Sequence, residues 1–111
     1  MEAVRTDVPL NAGYGLVVLD DGEAIFLRLI GSVDGRRTYL TPKLPLTLDQ
    51  VEALRGPRPL RLAVKGVEIW TERHSVTVQI NGHCCWGGRA TFVAALDQVM
   101  ARRAKRPPSE D

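Results

Sequence analysis

Four side chains invite chemistry first: His74, His83, Cys84 and Cys85, the histidines and cysteines of a 111-residue chain. A structural zinc ion needs about four converging nitrogen or sulfur ligands. Neighbours on a strand point to opposite faces, so Cys84 and Cys85 diverge, and His74 falls at a separate turn. No metal site is expected. The same divergence prevents an unstrained disulfide, which leaves two free thiols and favours a reducing, cytoplasmic setting. A nucleophilic cysteine needs an accessible thiolate in an electropositive pocket, whereas Cys85 and His83 fall on a face expected to be core. His74 and Ser75 beside Glu72 cannot form a triad, because alternation sends them apart. Asp20, Asp21 and Glu23 crowd one hairpin tip rather than a cleft, and Gly87-Gly88-Arg89 lacks any nucleotide-binding spacing. Neither catalysis nor a cofactor is expected.

The informative side chains are Trp70 and Trp86, the chain's two tryptophans. Asn81-Gly82, Lys65-Gly66 and a tight turn at Arg73-His74 set the pairing of four strands, because turn geometry fixes register. Trp86 then faces Thr77, Thr77 faces Trp70, and Trp70 faces Arg61. This row spans about 10 Å between the indoles, two strand spacings. Leu60, Leu62, Val64, Val67, Ile69, Val76, Val78, Ile80, His83 and Cys85 take the opposite, core face. A tryptophan row on a non-core face is expected either to be covered, by the first half or a second subunit, or to bind something. Arg61, Trp70, Thr77 and Trp86 are the expected binding residues, with Arg58 and Lys65 as flanking cations.

The elements that position the row follow from turn and capping signals. Asp21-Gly22 and Asp34-Gly35 separate strands over 14–20, 23–30 and 36–41; a second group covers 60–64, 67–72, 75–80 and 83–86. Thr47 with Gln50 makes a capping box, Leu46 and Val51 a hydrophobic staple, and Gly56 with Pro57 and Pro59 a stop. A second helix over 90–104 carries the stripe Phe92, Val93, Leu96, Val99 and Met100. The expected class is α+β: antiparallel meanders and two helices in the order βββα-ββββα, within one domain over 1–104. Its halves are 14–56 and 59–104, followed by a disordered tail over 105–111. The order resembles the sheet-plus-helix repeats of the PUR and Whirly-like folds, a resemblance that implies a module for single-stranded nucleic acid.

Tyr14, Leu16, Val18, Ile25, Leu27 and Leu29 make one apolar face of the first meander. Val17, Leu19, Ala24, Phe26 and Ile30 make the other, interrupted by Arg28. A sheet apolar on both sides must be covered twice, which points to packing between the halves or to a homodimer. The net charge is +2, with −2 carried by residues 1–56 and +4 by residues 57–111. Basic clusters at Arg55, Arg58, Arg61 and Lys65, and at Arg102, Arg103, Lys105 and Arg106, read as solvated surface and a complemented helix end. The opening residues lack a secretory apolar segment, and the longest apolar run, 92–96, is far too short to span a bilayer. The expected function is a non-catalytic protein-interaction module: a small regulator, inhibitor, immunity-type or adaptor protein acting on a protein partner or as a homodimer, away from membranes. Nucleic-acid binding by the tryptophan row is the alternative.

Overall fold

The computed structural model describes residues 4–105. Among them lie two antiparallel sheets and two helices, an α+β fold as the turn signals imply. The first sheet holds β1 (Val4–Pro9), β2 (Gly15–Asp20), β3 (Ile25–Val33), β4 (Arg36–Tyr39) and β5 (Leu44–Leu46). Helix α1 (Leu48–Arg55) leads into β6 (Leu60–Val64), β7 (Val67–Thr71), β8 (Ser75–Ile80) and β9 (His83–Gly88), and α2 (Arg89–Lys105) closes the described chain. Lys105 ends α2, and the rest of the expected tail lies outside the described residues. No described helix is long and apolar enough to cross a membrane.

β1 and β5 are additions to the sequence-derived order. β1 pairs with β2 from Val4↔Asp20 to Pro9↔Gly15, so the first half also begins with four meandering strands. β5 joins because β3 is long enough for two partners on one edge: Ile30–Val33 pair with β4 and Ile25–Leu27 with β5. Between them the Thr41 hydroxyl accepts from the Leu29 N–H at 3.1 Å, taking the place of a ladder carbonyl. The β2–β3 turn also differs. Asp20 pairs with Ile25 and the Asp21 N–H donates to the Ala24 carbonyl, so Gly22 and Glu23 are central instead of Asp21 and Gly22. A shift of two residues preserves the faces. Asp21 accepts from the backbone N–H groups of Glu23 and Ala24, which define this turn.

The second sheet has the register derived from its turns: Arg61↔Trp70, Trp70↔Thr77 and Thr77↔Trp86 are all paired. Lys65-Gly66 and Asn81-Gly82 have positive φ at both positions (49° and 80°, 48° and 80°), the geometry that matches strand twist in two-residue hairpins.

Both sheets contribute to one hydrophobic cluster. Leu16, Val18, Ile25, Leu27 and Leu29 of the first sheet, Ile69, Val76, Val78 and Cys85 of the second, and Phe92, Ala95, Leu96 and Val99 of α2 are all buried in it. The α2 stripe is therefore rotated from the expected one, with Ala95 inside and Val93 half-buried. Each fully buried Leu or Phe contributes about 1.5–3 kcal/mol. Helix α2 touches β1 and β2 on one side and β8 and β9 on the other, spanning the two sheets. Its far end is anchored by Arg103, which grips the buried Asp20 carboxylate at 2.8 and 3.2 Å, and by Arg102, which donates to the Thr6 hydroxyl. Arg55 reaches from α1 to Asp97 of α2 at 2.6 Å. Thr47 and Gln50 form the reciprocal capping box at the start of α1.

The sheets meet where β9 passes the short turn after β1. The Trp86 N–H donates to Asn11 Oδ1 at 2.9 Å, covering part of the β9 edge. Gly87 lies so close to this turn that a Cβ would sit 2.7 Å from the Pro9 carbonyl oxygen.

Candidate binding face on the second sheet

The face of β6–β9 opposite the core is built by alternation: Arg61 and Ala63, Glu68 and Trp70, Ser75, Thr77 and Gln79, Cys84 and Trp86 all point away from α2. Arg61, Trp70, Thr77 and Trp86 stand side by side across the four strands. Trp86 is 52% exposed and Trp70 is half-buried. The first half therefore does not cover this row, which overturns the expectation of coverage within the chain. Pairing between sheets occurs at the β9 edge through Asn11, not face to face.

Trp70 is held in place by two side chains. The Arg61 guanidinium lies 4.6 Å from its ring centroid, and the Trp70 Nε1–H donates to Glu72 Oε1 at 3.2 Å. Arg61 also approaches Glu68 at 3.4 Å, an exposed contact of small energetic weight. Among the described residues Trp86 is tied only through its backbone N–H, to Asn11. Around it lie Thr77, Gln79 and Cys84, neutral side chains, while the charges sit toward β6 and the β7–β8 turn. A depression of about 390 Å³ beside the row is lined by Pro59, Leu60, Arg61, Trp70, Thr71 and Glu72.

The two flanking cations do not join the row. Lys65 occupies the turn at the far end of β6, four residues or about 13 Å of strand beyond Arg61. Arg58 lies before β6, exposed between Pro57 and Pro59. Both are solvated ends. Arg102 and Arg103 of α2, by contrast, are committed to the first sheet.

The histidines and cysteines separate as alternation dictates, with one correction. His83 is exposed at the end of the β8–β9 hairpin rather than buried beside the core, because Ile80↔His83 is the last pair before the turn. Cys85 is buried, and burial pushes its thiol above the usual range, with the neighbouring Cys84 adding to the effect. Cys84 is exposed on the opposite face. Among the described residues no three His, Cys, Asp or Glu side chains converge to hold a metal ion.

The open face of the first sheet carries residues that sequence reasoning passed over. Within the chain, its own long side chains cover it rather than the other half. The Arg28 guanidinium stacks 3.8 Å from the Tyr39 ring centroid and donates through Nε and Nη2 to the Thr41 carbonyl. Arg5 reaches the same ring and grips Asp7 at 2.7 Å. That hydrogen bond holds the Asp7 carboxyl below the usual carboxylate range. Beneath this layer Val17 is completely buried. The signal in the sequence was Arg28 interrupting an otherwise apolar face.

No known protein family, curated protein or solved structure matches the chain, so the function is argued from this geometry.

Proposed function

We propose that the protein is a non-catalytic interaction module that docks a protein partner, a second copy of itself included, on the Trp70–Trp86 face. The observation that carries this reading is Trp86: a large aromatic ring, half exposed, displayed on a four-stranded sheet whose other side is core. Its immediate neighbours are neutral and the charges stand at one side, the arrangement of an interface with an aromatic centre and a polar rim. A rigid tryptophan loses little conformational entropy on docking, which suits it to anchor a contact. Two carboxylates, Glu68 and Glu72, stand against one cation, Arg61, near Trp70. That balance disfavours a phosphate backbone on this face and favours protein over nucleic acid.

A photo-crosslinking residue placed at Thr77 or Gln79, beside the tryptophans, tests the reading in cells that make the protein. The expected result is a protease-sensitive, nuclease-resistant adduct that is lost with Trp86→Ala and absent when the crosslinker sits at Ala101 on α2. Adducts that nuclease removes, or no adduct beyond the Ala101 control, would overturn it.

A further inference from the structure

The open face of the first sheet has a different chemistry from the tryptophan face. Its register brings Arg5, Asp7, Val17, Phe26, Arg28, Ile30, Arg37 and Tyr39 to one side. Lys43, from the connection between β4 and β5, lies on the same side, 5.2 Å from the Phe26 ring centroid. Four cations thus stand with Asp7 among them, and with Asp21 approaching Lys43 from the β2–β3 turn, on a surface paved with two aromatic rings and the flat Arg28 guanidinium. Arg37 donates to the Gly13 carbonyl, which fixes it over a depression of about 290 Å³ lined by Asp7, Gly15 and Ile30 among others. Gly15, lacking a side chain, forms part of its floor.

We propose that this face binds single-stranded nucleic acid. Three cations in excess of Asp7 match a phosphate backbone, and the flat Arg28 guanidinium, backed by the Tyr39 ring, offers a stacking platform to an unpaired base. Arg37 and Asp7 both line the depression, a guanidinium and a carboxylate within reach of a base edge that enters it. An acidic peptide would match the charge but has no use for the rings or the depression. The site is separate from the tryptophan face, and its success or failure is independent of the protein-docking reading.

The test is fluorescence anisotropy of a labelled single-stranded DNA of about fifteen nucleotides, within the usual site sizes. With about three phosphates neutralised and a slope near −0.7 for each, affinity should fall roughly 20-fold between about 50 and 200 mM salt. Lys43→Glu with Arg37→Glu, both at exposed positions, should weaken binding at least about tenfold and flatten the salt dependence, because each cation adds its own increment to the slope. Tyr39→Leu should weaken it about fivefold or more at either salt concentration, as loss of a stacking platform does. Trp86→Ala should leave it unchanged. Circular dichroism melts of each variant establish that the fold is kept. The proposal is overturned by absence of binding at the lower salt, by a duplex of equal length binding as tightly, by polyglutamate competing as well as the oligonucleotide, or by loss of binding in Trp86→Ala but not in the charge variant.

Discussion

Gly87→Ala probes the joint between the sheets with a single added methyl group. An ideal Cβ at Gly87 lies 2.7 Å from both the Pro9 carbonyl oxygen and Leu10 Cδ2, about 0.7 Å inside the 3.4 Å at which ordinary contact begins. Leu10 can rotate away, but the Pro9 oxygen is backbone, so β9 and the end of β1 must separate. That movement stretches the Trp86 N–H bond to Asn11, 2.9 Å in the intact protein. Overpacking of this kind costs about 1–3 kcal/mol. For a chain of this size, 1 kcal/mol corresponds to about 4 °C, so Tm should fall by about 4–12 °C. Urea melts should show a lower midpoint with an unchanged slope, since the surface exposed on unfolding is the same. Gly88→Ala is the control: its Cβ would meet nothing nearer than Thr91 Oγ1 at 3.6 Å, and the cost should stay under about 1 kcal/mol. Equal stability of Gly87→Ala and the wild type, or equal losses in the two variants, would refute the close approach of β9 to the Pro9–Leu10 backbone.

Alkylation should divide the cysteines: Cys84, exposed, reacts in the folded protein, while Cys85, buried and with its thiol pushed up by desolvation, reacts only after denaturation. Mass spectrometry showing two labels on the native protein would contradict this. Asp7, hydrogen-bonded to Arg5, and Asp21, bonded to the backbone N–H groups of Ala24 and Glu23, are both held below the ordinary carboxylate range near 4. Their contribution is full above the unfolded value and is lost as pH falls through the lower folded value, so chemical melts should weaken on acidification below about pH 4. Asp7→Asn with Asp21→Asn should flatten that decline, and an unchanged decline would show that these carboxylates do not drive it. Phe92→Ala, at the centre of the shared core, should cost about 3–5 kcal/mol and unfold both sheets in one transition. Two separated calorimetric transitions would show that the sheets do not share a cooperative core.

The second sheet was legible in the sequence because Lys65-Gly66, Arg73-His74 and Asn81-Gly82 are two-residue turns, and a two-residue turn leaves no freedom in register. The capping box at Thr47 and Gln50 was legible for the same reason: both halves of the device are local. β1 was hidden because Arg5, Asp7 and Pro9 face outward, which left Val4, Thr6 and Val8 too sparse to read as a strand. β5 was hidden because it is three residues long with Pro45 at its centre, tolerable only on an edge. Alternation assigns faces but does not say what covers them. The covering of Val17 depends on Arg28 meeting Tyr39 and on Arg5 meeting both Asp7 and Tyr39, contacts that tertiary geometry creates. The exposure of Trp86 has the same origin: the first half meets β9 at its edge through Asn11, a contact between residues 75 positions apart.

The central claim is that Trp86 stands free on the surface as a docking anchor rather than as part of the core. Trp70→Phe leaves it the sole tryptophan, and its emission can be read in dilute protein with acrylamide as quencher. The claim requires red, water-like emission with strong quenching in the folded protein. Blue-shifted emission that acrylamide reaches only after denaturation would contradict it.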